Sequence, residues 1–436
     1  MVQFAIVEDN LAPRFAPLSL LRPVFELRCG HFTAGERLRR ACSGATWGAI
    51  LRPELVATYQ ELFPTGHCND QAWLAAAPTI LVNGRWLCGA ADLAQVQRLQ
   101  PGEFASVARI ENDWAAISLS PEKVRELVDA TPAAVSDWIA RQLPGTRRIE
   151  VGGRLIEYPW HLIEHNPEQL RIDFAARRTH QSQELTDPRI AVLGDPGQLF
   201  VDPTAHIDPF VVLDVRHGPI WIDAGVQLQA FTRVEGPSYI GPQTQLFRAN
   251  VREGCSIGPV CRVGGEIEES IIHGYANKYH DGFLGHAYVC PWVNLGANTI
   301  NSDLKNDYSS VKVMVDGTMV DSGSTKVGCF IGDHTKTALA SLFNTGTTVG
   351  VMSLVLPGGE LLPKVIPSFC RVWHGDLDQL PDGIESGIAS ARTAMGRRNL
   401  TLSAAQEALL RHTFEATFVE RQQTLDRWRQ RRSKTA

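Results

Sequence analysis

The chain has 436 residues, 44% hydrophobic and 20% charged, with 42 basic and 47 acidic side chains and a formal net charge of −5. This is globular composition, which excludes a disordered or fibrous chain, and at roughly 100–200 residues per domain it leaves room for two or three. The acidic balance argues against nucleic acid as a partner, and no apolar run approaches the ~18–20 residues that span a bilayer.

The first residues, MVQFAIVEDNLAP, lack the basic start of a signal peptide. Phe4–Val7 and Ile80–Val82 are short apolar runs bounded by polar or turn residues, as buried strands are. Ala34–Ala41 and Pro121–Asp129 have helical texture. This alternation predicts an α/β layer over residues 1–190. Nine cysteines with no CxxC pair read as reduced thiols and place the chain in a cytoplasm.

Residues 191–375 carry a different pattern. Ile222, Leu228, Val234, Ile240 and Leu246 recur every six residues, and Ile331, Thr337, Phe343, Val349, Val355 and Leu361 repeat the step. Six fits neither a helix nor simple strand alternation, but it fits a hexapeptide-repeat parallel β-helix with three hexads per coil. Each coil is then covered only by its neighbours, so stacking builds the core. The phase breaks between Val263 and Val289 and again between Ile300 and Val327. Insertions in a solenoid leave as loops and often carry the site. Residues 376–436 form a helical tail. Ser403–Gln406 reads as a capping box, and Leu410, Phe414, Leu425 and Trp428 share one helical stripe. This predicts a helix over the open end of the solenoid.

Tyr275–Tyr308 reads YANKYHDGFLGHAYVCPWVNLGANTINSDLKNDY. It resembles the acetyltransferase half of the bifunctional bacterial family that makes UDP-N-acetylglucosamine, whose pattern carries GSKAGHLTYLG, VNIGAGT and CNYDG. The resemblance places His280 on the catalytic histidine, Asn294 on the asparagine of VNIGAG and Asp303 on that of CNYDG. It places Arg252, in VREGCSIG, on the arginine that holds the sugar-nucleotide phosphate. His280–His286, Leu304–Tyr308 and Phe343–Thr347 resemble a GlmU-like branch of sugar nucleotidyltransferases more closely still, and that likeness spans nearly the whole chain.

The resemblance implies a left-handed β-helix, a homotrimer, acetyl-CoA or another acyl-CoA as co-substrate, and a sugar phosphate or nucleotide sugar as acceptor. Attack on a thioester needs a neutral amine, so a base titrating near neutrality is required, and histidine supplies one. His280 would be that base. Asn294 and Asp303 would orient amine and sugar, Arg252, Lys278 and Lys305 would complete the substrate site, and an N–H near Gly296–Ala297 would stabilise the oxyanion. Two departures stand out. Phe283 replaces a tyrosine, and Glu268 and Glu269 stand near paired lysines, reversing the local charge.

Ala12–Leu27 reads APRFAPLSLLRPVFEL and resembles the sugar-1-phosphate nucleotidyltransferase signature GTR-x-x-PLT-x-x-RPK-x-L. Arg14, Pro17–Ser19 and Arg22–Pro23 fall on GTR, PLT and RP. This implies a Rossmann-like nucleotidyltransferase domain, with Arg14 and Arg22 on the nucleotide and Mg2+ if the domain is active. The loop EDNLAPR has no glycine to bring amides to a phosphate, and Pro13 removes a donor. Val24 replaces the signature lysine, and ILVNGR (Ile80–Arg85) lacks the metal-binding aspartate of the family's NGD turn. Two further readings therefore stand beside acyl transfer. One is a non-catalytic sugar-nucleotide-binding relative. The other is a zinc β-helix enzyme of carbonic anhydrase type, drawing on His273, His280, His286 and His334. Acyl transfer itself calls for no metal.

Overall fold

The computed structural model describes residues 2–42, 44–107, 114–127, 129–177 and 182–433. Val128 and Lys434, at the ends of two expected helices, lie outside the described residues. The chain forms two compact units. The first comprises Met1–Phe15, Leu21–Arg28 and Phe32–Tyr158; the second comprises Ala16–Leu20, Cys29–His31 and Pro159–Ala436. Residues 159–177, grouped with the first domain by sequence texture, thus count with the second unit.

The first unit is built on a seven-stranded sheet. Its order is Arg147–Glu150, Glu103–Ser106, Ala116–Leu119, Thr79–Asn83, Gln3–Val7, Trp47–Ile50 and His67–Cys68. Only Ala116–Leu119 runs antiparallel to its neighbours. The central strands Gln3–Val7 and Thr79–Asn83 are buried at every position, as expected for strands covered on both faces. Helix Ala34–Ala41 spans the expected residues, closed at its start by a Thr33–Glu36 capping box. The helix after Ser120 is shorter than expected, Pro121–Arg125.

The second unit contains the left-handed parallel β-helix. One coil takes 17 or 18 residues: Ile222 pairs with Ile240, and Ile240 with Ile257. The first hexad run points inward throughout, with Ile222, Leu228, Val234, Ile240 and Leu246 at 1% exposure or less. Burying each such side chain contributes roughly 1.5–3 kcal/mol, and the column runs coil after coil. Corners adopt left-handed backbone even at bulky residues: Phe210, Phe231, Val260 and Trp292 have φ of 69, 66, 60 and 64°. Such φ is costly for a β-branched or aromatic residue, so the stacked coils must hold it.

The second run departs at its end. Leu361 is 62% exposed and Leu362 is 5% exposed. The turn Pro357–Gly359 adds a residue, and Leu362 N donates to Leu342 O at 2.9 Å, so the inward position slips by one.

The two phase breaks differ. Between Ile300 and Val327 the chain leaves the stack in a hairpin, Lys312–Val315 against Thr318–Asp321, while Val289 pairs directly with Ile331. Between Val263 and Val289 no loop leaves. Strand Arg262–Glu268 runs through a corner and pairs with both Asn277–Lys278 and Phe283–Gly285. Ile257 pairs with Ile272, a coil shortened to 15 residues. The phase slip is a tightened coil rather than an insertion.

The tail folds into three helices, Glu385–Gly396, Ala404–Ala416 and Phe418–Arg432, where one stripe was expected. Ser403 and Gln406 form the capping box, and the last two helices part at Thr417, whose hydroxyl bonds Thr413 O at 2.8 Å. Leu425 joins the solenoid core beside Val372 and Leu377, with Trp428 packed against it. The basic end of the last helix pairs with the last β-hairpin through Arg429–Asp378 and Arg432–Asp376.

Candidate functional site

In the first unit, the loop after Gln3–Val7 is closed by its own charges. Glu8 is fully buried; it accepts from Val24 N at 2.8 Å and from Arg52 Nε at 3.2 Å. Asp9 pairs with Arg85, Nη2 to Oδ2 at 2.7 Å, both side chains 5% exposed. Arg85 also donates to Ile156 O. The place where the resemblance expects a metal-binding carboxylate thus holds a guanidinium, spent on the loop's own acid. A cation site needs carboxylate oxygens free to coordinate, and this arrangement does not fit Mg2+. Arg14 lies 3.9 Å from Glu157 and over the Tyr158 ring. Arg22 is half-buried, and its carbonyl accepts from Arg52. Pro17–Ser19, between them in sequence, belongs to the second unit.

In the second unit, His280 stands exposed at the corner between Asn277–Lys278 and Phe283–Gly285, its ring against that of Tyr279. The next coil stacks directly on this corner: Asn298 N donates to Asp281 O at 2.9 Å. The segments resembling GSKAGH and VNIGAGT are therefore neighbours in space. Asn294 accepts from Asn277 Nδ2 at 3.2 Å, and Asn277 Oδ1 accepts from Arg398 Nη2 at 2.9 Å. The Gly296 amide donates to Thr337 Oγ1 at 3.0 Å.

Lys278 occupies an inward position, stacked on Val263. It is 2% exposed, and its ammonium donates to the carbonyls of Gly264 and His280. Burial lowers its pKa to about 8. Gly265 makes room, since at φ +74° its missing Cβ would lie 2.8 Å from Lys278 Nζ. This ammonium faces carbonyls rather than solvent. Lys305 donates to Ser309 Oγ and Ser310 O and ties down the start of the inserted loop.

A second cluster lies at the following corner. His286 Nδ1 is 2.8 Å from Asp303 Oδ2, and its Nε2 is 3.3 Å from Glu269 Oε2. With a carboxylate at each nitrogen both must carry a proton, so the ring is an imidazolium. Burial alone would lower its pKa, but the two carboxylates outweigh burial and raise it to about 9. Gly285 lets Asp303 approach, for a Cβ there would lie 2.8 Å from Oδ2. Asn301 bonds both backbone groups of Gly285, at 3.0 and 2.8 Å. Beside this triad, Glu268 accepts from Arg252 at 2.7 Å and from Lys326 at 3.2 Å. The arginine expected to hold phosphate is thus already paired. The reversed charge at Glu268 and Glu269 was visible in the sequence; the His286 triad was not recognised, although acid and imidazole recur one coil apart.

The four histidines of the zinc reading do not converge. His273 lies against Tyr288 and His334 against Trp292, and both His286 nitrogens are engaged. Among the described residues no group of three or more His, Cys, Asp or Glu could hold a metal ion, and no helix is long and apolar enough to cross a membrane.

Residues 4–182 match a family model described as sugar nucleotidyl transferase. A bifunctional sugar-1-phosphate nucleotidylyltransferase/acetyltransferase from Sulfurisphaera tokodaii is 33% identical over 124 residues, 28% of this chain and 29% of the relative. The bifunctional protein GlmU of Acaryochloris marina is 28% identical over 183 residues, 42% of this chain and 35% of the relative. The matches thus span about a third of those relatives' length. A solved UDP-N-acetylglucosamine acyltransferase aligns with 54% of this chain and 89% of its own at 14% identity and a TM-score of 0.20.

Proposed function

We propose, from the premise that this chain is a GlmU-like member of the sugar nucleotidyl transferases, that its β-helix transfers an acyl group from coenzyme A to an amino sugar and that its first domain binds a sugar nucleotide without converting it. The stacking of the His280 corner on the Asn294–Thr299 coil carries the first half: it puts an exposed imidazole beside an ordered run of amides. His280 takes the proton from the attacking amine. The Asn277–Asn294 pair, anchored by Arg398, presents amide groups to the acceptor. With the Gly296 amide occupied, the Ala297 N–H is the donor for the thioester oxyanion. No covalent intermediate is needed, which suits the described cysteines, nearly all of them buried. A homotrimer, and residence in a cytoplasm, belong to the same reading.

The second half rests on the Asp9–Arg85 and Glu8–Arg52 pairs. Nucleotidyl transfer depends on cations and amides around the developing phosphoryl charge, and here two carboxylates occupy that loop. Coenzyme A thiol release from acetyl-CoA, measured against a panel of amino sugars and their phosphates, tests the first half; pyrophosphate release from UTP and other nucleotides tests the second. Acceptor-dependent thiol release without pyrophosphate is expected. Pyrophosphate without thiol release would overturn both.

A further inference from the structure

Within the second unit a cleft of about 310 Å³ opens beside the His286 triad. Trp160, Ile163 and Glu164 line one wall, Glu269 and His286 another, and the returning segment Ser324–Val327 a third. His280 is not among its lining residues. At the lower end of the ~300–1,000 Å³ typical of ligand pockets, it suits one sugar ring better than a nucleotide sugar.

The charges around it select the ligand. Lys326 is bonded to Glu268, and His286 to Glu269 and Asp303. Arg252, bonded to Glu268, also has Glu253 and Glu266 at 4.0 and 3.9 Å. Each of these three cations is matched, and the carboxylates around them, Glu253, Glu266, Glu268, Glu269 and Asp303, outnumber them. Glu164 lines the cleft, largely open to solvent and with no ion pair among the described residues, and partial desolvation by the surrounding protein raises its carboxyl above the usual range. A cation entering the cleft would relieve that cost, whereas a phosphate would add repulsion. Trp160 and Ile163 offer apolar surface, and Ser324 and Thr325 offer hydroxyls.

We propose that this cleft binds a monosaccharide-sized ligand that carries a primary ammonium and no phosphate, with Glu164 and Glu269 holding the ammonium. Binding to this cleft is measured separately from the proposed acyl transfer, whose acceptor contacts are His280 and Asn294.

Calorimetric titration of the full chain with glucosamine, glucose and glucosamine 1-phosphate tests the proposal. Glucosamine is expected to bind at least about tenfold more tightly than the other two, and Glu164→Gln and Glu269→Gln each to weaken it about tenfold. Glu360→Gln, on the exposed loop after Pro357, should leave it unchanged. Glucosamine 1-phosphate binding as tightly as glucosamine, or both glutamine variants binding glucosamine like the unaltered chain, would overturn it. Glucosamine binding without thiol release would remove the acyl-transfer reading and leave this one standing.

Discussion

His286 shows how a single side chain takes its role from its neighbours. An imidazole with one acceptor keeps a lone pair and can serve as a base or metal ligand. Flanked by Asp303 and Glu269 it has none and becomes a fixed cation. Its pKa is about 9 against an ordinary 6.5, so the folded chain holds a proton that the unfolded chain releases as pH rises between those values. That stabilisation is complete below pH 6.5 and is lost as pH climbs toward 9. Lys278 acts with the opposite sign above about pH 8, where its ammonium, held down by burial, deprotonates in the fold first. The window to read is therefore pH 6.5 to 8. Melting temperature should fall across it, and Asp303→Asn should flatten the slope while lowering stability at pH 6.5. A wild-type slope of zero there would mean the ring is neutral.

At the scale of elements, the hexad ladder was legible because its signal is redundant. Each inward residue is repeated on the next coil, so two runs in phase specify the fold. What was not legible came from single residues that break the pattern. Leu361 and Leu362 read alike in sequence, and only the extra residue of the Pro357–Gly359 turn decides between them. Leu362→Asp should therefore lower unfolding free energy by several kcal/mol by placing a charge in the core. Leu361→Asp should change it by no more than about 0.5 kcal/mol. Chemical denaturation of the two variants checks this, and the reverse order would restore the simple hexad. The missing loop between Val263 and Val289 has the same origin. Gly264 and Gly265 let a strand run through a corner, and Lys278 fills an inward position where the pattern asks for an apolar residue, so periodicity alone read a gap. The triad left one usable trace: Glu269, His286 and Asp303 lie at successive 17-residue intervals, the length of one coil.

Across the whole molecule, the two units depart in different ways from the sequences they resemble. The first has the strand and the order of the signature it resembles, but the acids of the loop after Gln3–Val7 are paired with Arg52 and Arg85. Its loss of glycine and lysine was readable; that Arg85 would pair with Asp9 was not, because the partners lie 76 residues apart. The second keeps the exposed histidine and its stacked asparagine coil while remaking the charge at the next corner. The proposed function therefore turns on whether the β-helix is a catalyst with His280 at its centre. Acceptor-dependent thiol release from acetyl-CoA, compared between the unaltered chain and His280→Ala, decides it most directly. If His280 is the base, the rate drops roughly 10²–10⁴-fold, the usual contribution of a general base, with the melting temperature unchanged. Equal turnover by the two proteins would contradict it.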